Sequence, residues 1–128
     1  MRDLTPDIVI NLSKSGRSWS ELEKRADVLA LDGDLKPDMA SLTLSSLNFL
    51  SGPSVNAPDV IRALARVMLA RGIVPELEIF GLGMLTFATA LRKEDPSVVP
   101  VAATTFYGHN ARRPTRAAPV GIGGARVP

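Results

Sequence analysis

Between residues 7 and 93 the apolar residues keep changing their period, from two, as along a strand, to 3.6, as around a helix, and back again. No other feature restricts the fold as strongly. "DIVINL" (7–12) is rich in β-branched residues and reads as a strand, closed by the turn-forming "SKSGRS". A helix over 19–30 follows, opened by Ser20 with Glu23 at capping-box spacing and carrying Leu22, Ala26 and Leu29 on one face. "MASLTL" (39–44) is the second strand, and a polar loop through Gly52 and Pro53 leads to a helix that Pro58 starts and Gly72 closes. Val60, Ile61, Leu64, Val67 and Met68 form its apolar stripe, with Arg62 and Arg66 opposite. "IVPELEIF" (73–80) is the third strand, and 82–93 the third helix, with Leu85, Ala88 and Leu91 toward the core. Alternation at this spacing predicts an α/β chain of βαβ units around a parallel sheet.

Near residue 95 the pattern stops. Residues 96–128 hold five of the ten prolines and no helical stripe, so the chain divides into a folded 1–95 and a tail expected to be irregular and disordered. Charge divides at the same place. All 13 acidic residues precede position 96, against 11 of the 15 basic ones, which leaves the body at −2 and the tail at +4. A basic tail can be an electrostatic footprint on nucleic acid. This one, with Arg112, Arg113, Arg116 and Arg126, carries no recognisable RNA or DNA motif, and a nucleic-acid partner is not expected. The 45% apolar fraction is that of a globular body, and no run reaches the roughly 18 apolar residues of a membrane span. With no signal-peptide pattern at the start and no cysteine, a cytoplasmic location is expected, and disulfides and thiolate metal sites are excluded. The single histidine, His109, cannot by itself build a three-ligand metal site and reads as a solvated residue of the tail.

Side chains alternate across a strand, so each strand splits into two faces. Ile8, Ile10 and Leu12 share one face of the first strand, and Val9, Asn11 and Ser13 the other. Ala40 and Leu42 oppose Met39, Ser41 and Thr43; Leu77 and Ile79 oppose Glu76 and Glu78. Each strand therefore has an apolar face for helices and a face that turns polar toward its C-terminal end. Parallel sheets covered on both sides read as continuous apolar runs, so polarity repeated on one face of three strands has to be explained. A barrel explains it, because helices pack outside and the C-terminal mouth of the inner face carries the site. Solvated strand ends and hydroxyls that cap helices or bond to backbone are the alternative for each residue taken singly.

"DIVINLSKSG", "PDMASLTLSSLNF" and "GIVPELEIFGLGML" resemble, in order and spacing, the β-keto acid cleavage enzymes, over roughly residues 5–94. That resemblance implies a (β/α)8 TIM barrel that uses zinc to polarise a keto oxygen and exchanges acyl groups between a β-keto acid and acetyl-CoA, giving acetoacetate and a new acyl-CoA. It also implies that Ser13, Gly16, Ser41 and Thr43 hold the substrate carboxylate and that Glu78 reaches the far end of the substrate. Asn48, in the family's "NF" motif, has a structural part.

The departures from the family pattern are specific. "SKSG" stands where the family has "STGG", which places Lys14 and Ser15 against the anion pocket. The family's His-x-His zinc ligands and its late acidic ligand have no counterpart in this chain. The chain thus resembles the third to fifth units of a barrel, a partial barrel with two open strand edges that invite self-association. Its sequence after "ALRKE" leaves the family pattern, as a frameshift would cause, and Met1 reads as an internal start or a truncation. Two functions follow as expectations, a fragment of the zinc-dependent enzyme without its metal site or a non-catalytic module that pairs its open strands with a partner; a nucleic-acid binder acting through the tail is the disfavoured third reading.

Overall fold

The computed structural model describes residue 5, residues 7–97 and two short strands at 104–106 and 118–119. Four parallel strands form its centre: β1 (Asn11–Leu12), β2 (Met39–Thr43), β5 (Val74–Ile79) and β6 (Thr104–Phe106) lie side by side in that order. A short β7 (Ala118–Pro119) adds antiparallel to β6. Between the strands run α1 (Leu22–Ala26, continued as a 3-10 turn over Asp27–Ala30), α2 (Pro58–Ala70) and α3 (Leu82–Glu94). This is a segment of a (β/α)8 barrel, three βα units and the strand of a fourth.

The two-residue period places Ala40, Leu42, Leu77 and Ile79 on the helix side, where all four are buried against Ile61, Leu64, Ala65 and Met68 of α2 and Met84, Ala88 and Leu91 of α3. That single layer of contacts is the core. On the opposite side Asn11 is exposed and Met39, Thr43, Glu76 and Glu78 are half-buried, so the expected division into an apolar and a polar face holds. The register aligns the polar positions in rows, Ser41 beside Glu76 and Thr43 beside Glu78.

α2 forms where the stripe predicts it, with Pro58 at its start. It stops because Gly72 takes a left-handed φ of 65°, which lets the Gly72 and Ile73 amides return to the Leu69 and Met68 carbonyls at 3.0 and 2.9 Å. α1 differs from expectation. The Ser20 capping box does not form: Glu21 is the N-cap residue, without a side-chain bond to the helix, and its carboxylate instead accepts the Ser20 amide at 3.1 Å. In α3 Met84 takes the buried place expected of Leu85, which is half-buried. The stretch between β2 and α2, read as loop, contains a hairpin, β3 (Leu47–Phe49) paired antiparallel with β4 (Gly52–Ser54).

β6 changes the reading of the C-terminal stretch. It pairs parallel with β5 from Leu77–Thr104 to Ile79–Phe106, so the far edge of β5 is covered and not open as expected. The outer edge of β1 has no strand beside it among the described residues. His109, Arg112, Arg113, Arg116 and Arg126 lie outside the described residues, as does most of the expected disordered tail. No described helix is long and apolar enough to cross a membrane.

Candidate active-site cleft

The C-terminal ends of β1, β2 and β5, with the hairpin, enclose a cleft of ≈ 250 Å³ lined by Ser13, Ser15, Arg17, Thr43, Leu47, Phe49, Ser54, Glu78 and Phe80. Three residues singled out in the sequence, Ser13, Thr43 and Glu78, meet there. Thr43 and Glu78 are register partners on adjacent strands, and the Thr43 hydroxyl donates to Glu78 Oε2 at 2.5 Å. One row down, Asn11 Nδ2 donates to Glu76 Oε2 at 2.5 Å, which places Glu76 outside the cleft wall.

Ser41 and Gly16 sit behind the wall. Ser41 is buried, and its Oγ accepts the Lys14 amide at 3.2 Å. Gly16 is buried with its carbonyl accepting the Val55 amide at 3.2 Å. A Cβ at Gly16 would stand 2.5 Å from the Val55 carbonyl oxygen and 3.1 Å from both Ser54 Oγ and Asn56 Oδ1, so only glycine lets the segment after β4 close against the loop. Asn48 is exposed on β3, across from Pro53, and does not line the cleft.

Lys14 does not crowd the pocket as expected. It is buried on the helix side, with Nζ donating to the Ser41 carbonyl and lying 3.4 Å from Met68 Sδ. Burial first, and then the nearby Arg25 charge, lower its pKa from 10.5 to about 7, partly opposed by Glu78. Arg25, itself buried, donates from Nε to the Lys14 carbonyl at 3.1 Å, from Nη1 to the Val55 carbonyl at 3.3 Å and from Nη2 to Asn56 Oδ1 at 2.7 Å. Desolvation lowers its pKa as well. Two buried basic side chains therefore tie the loop after β1 to β2, α2 and the segment after the hairpin.

Sequence reasoning passed over Arg25, Asn56 and Arg17. The first two gave no signal, because an arginine on a short helix and an asparagine in a loop both read as solvated. For Arg17 the signal was its place in the same loop as Ser13 and Gly16. Metal chemistry is a separate matter: no group of three His, Cys, Asp or Glu side chains among the described residues is placed to hold a metal ion. Those residues do not fit a zinc site.

Comparison with known proteins bears on the same stretch. The family profile described as beta-keto acid cleavage enzyme matches residues 1–120. The 3-oxoadipate:acetyl-CoA acetyltransferase of Cupriavidus necator is 39% identical over 93 residues, 73% of this chain and 31% of that protein. The 3-keto-5-aminohexanoate cleavage enzyme of Fusobacterium nucleatum is 29% identical over 96 residues, 73% of this chain and 34% of that protein. Among solved structures, apo ObcA superposes with a TM-score of 0.70 at 26% identity, over 83% of this chain and 22% of the other. The chain spans about a third of the length of the curated relatives it matches. The profile match runs past residue 94, and β6 lies beside β5 as a barrel's next strand does. By fold, by cleft position and by this match, the chain belongs to the β-keto acid cleavage enzyme family.

Proposed function

We propose that this chain is part of an enzyme that exchanges acyl groups between a β-keto acid and acetyl-CoA, giving acetoacetate and a new acyl-CoA, and that its own task is to hold the keto acid. The observation that carries this reading is the meeting of Ser13, Thr43 and Glu78 in one cleft at the C-terminal ends of neighbouring parallel strands. Ser13 and Thr43 hold the substrate carboxylate, Thr43 exchanging its bond to Glu78 for one to the ligand. Ser41 and Gly16 act from behind, Ser41 by fixing the Lys14 backbone and Gly16 by admitting the Val55 carbonyl. Glu78 reaches the far end of the substrate and favours a cationic group there. A relative named for transfer between 3-oxoadipate and acetyl-CoA supports both substrates. Zinc belongs to the complete enzyme, where it would supply a Lewis acid for the keto oxygen; the described residues of this chain provide no ligand set for it. A cytoplasmic location is part of the same reading.

A second reading, a non-catalytic module that pairs its exposed strand with a partner or with itself, is favoured by the outer edge of β1, beside which no strand lies among the described residues. One experiment separates the two. The purified chain, supplied with zinc, acetyl-CoA and 3-oxoadipate, is expected to form no acetoacetate alone and to form it when mixed with a separately produced chain carrying the remaining barrel units of a full-length relative. Turnover by the chain alone contradicts the division of labour. A mixture that co-elutes as a complex without turnover establishes the second reading in place of the first.

A further inference from the structure

The cleft has an electrostatic problem that its hydroxyls do not solve. A keto acid brings a carboxylate into a space that already contains the Glu78 carboxylate, and the hydroxyl of neighbouring Thr43 donates its hydrogen bond to Glu78. Like charges in one partly desolvated site disfavour binding unless a cation compensates. Lys14 faces the helix side, and among the described residues that line the cleft Arg17 is the one cation.

We propose that Arg17 is the charged group that fixes the substrate carboxylate, a specificity-determining residue built into the loop that departs from the family pattern. Its side chain is already aimed. Ser15 Oγ accepts both the Arg17 amide, at 3.2 Å, and Arg17 Nε–H, at 3.3 Å, and the guanidinium lies over the Phe49 ring of the hairpin, 5.0 Å from its centroid. Stacking fixes the plane and the Nε bond fixes the rotation, so less conformational freedom is lost when a ligand arrives. Nη1 and Nη2 make no hydrogen bond among the described residues, which leaves the end of the fork open for a carboxylate held by two parallel N–H···O bonds. β2 stands between β1 and β5, so the Arg17 loop and Glu78 are separated by two strand spacings, about 10 Å. The anionic end of the ligand binds at the Arg17 side, with Ser13 and with Thr43 once its hydroxyl leaves Glu78, and the rest of the ligand extends toward Glu78. The substrate class this selects is a keto acid whose carboxylate is free and ionised.

The inference rests on the keto-acid reading of the cleft, and the test separates the two. The full chain is titrated, with NMR detection, with acetoacetate and with its neutral methyl ester, in the wild type and in Arg17→Ala, Arg17→Lys and Ser15→Ala. Arg17 is exposed, so its variants keep the folded spectrum. The wild type is expected to bind the acid about tenfold or more tightly than the ester. Arg17→Ala brings the two Kd values within about twofold by weakening the acid alone, while Arg17→Lys keeps part of the preference and Ser15→Ala falls between. A wild type that binds acid and ester equally, or an Arg17→Ala variant that keeps the full preference, overturns the role of Arg17 and leaves the keto-acid cleft standing. Binding of neither ligand overturns both.

Discussion

Lys14 is an amine held where its charge is disfavoured, and that has a measurable consequence. Its pKa in the folded chain is about 7, against 10.5 when unburied. Between those values the unfolded chain carries a proton that the folded chain lacks, so stability rises as pH rises from about 7 toward 10.5. The urea midpoint is expected to increase across pH 7, 8 and 9 in the wild type and to stay flatter in Lys14→Met; equal slopes would contradict the burial of this amine. Gly16→Ala drives a methyl group into the Val55 carbonyl at 2.5 Å and is expected to lower stability by about 1–3 kcal/mol, read from the same midpoint. The inward course of Lys14 was legible in part. The two-residue alternation, continued past Leu12, puts Lys14 on the face of Ile10 and Leu12, whereas the family pattern sets it against the anion pocket. Ser41 was placed on the correct face; what the sequence hid is that its hydroxyl bonds the backbone of a neighbouring loop, a contact no period encodes.

At the scale of elements, the long strands and helices were legible because burial on one face forces a period. α2 is the clearest case: Ile61, Leu64 and Met68, members of the predicted stripe, are fully buried, and Leu64→Ala is expected to cost about 2–5 kcal/mol in urea unfolding. The hairpin β3–β4 was not legible. Its connection, Leu50–Ser51, lacks the Asn-Gly or Asp-Gly signature of a tight turn, and Pro53 argues against a strand except on a ribbon with a free side. What fixes the segment after it is Asn56, which accepts from Arg25 and donates to the Ser45 carbonyl at 3.0 Å. Asn56→Ala leaves the buried Arg25 one partner short and is expected to speed amide exchange across 47–56 while leaving α2 protected; unchanged exchange would remove Asn56 from this role. The capping box at Ser20 was a misreading of a real spacing. Glu21 competes for the same backbone donor and starts the helix one residue later.

The described residues form one side of a barrel, with helices packed on its outer face and a polar inner face whose rows end in the cleft. That arrangement is legible in the alternation of faces, because polar residues recur on one side of three strands. The fourth strand was missed: Thr104–Phe106 is too short, and too closely followed by Gly, Pro and Arg residues, to show a period. Its pairing with β5 extends the sheet beyond the three strands read from the pattern. The central claim, that the strand ends form a keto-acid site, is tested most directly by titrating the 15N-labelled full chain with acetoacetate, a β-keto acid with a single carboxylate, and mapping amide shifts. Saturable shifts are predicted at Ser13, Ser15, Arg17, Thr43 and Glu78, with little change on the outer helix surface around Arg62 and Glu94. Saturable shifts confined to that outer surface, or none at the strand ends, would contradict it.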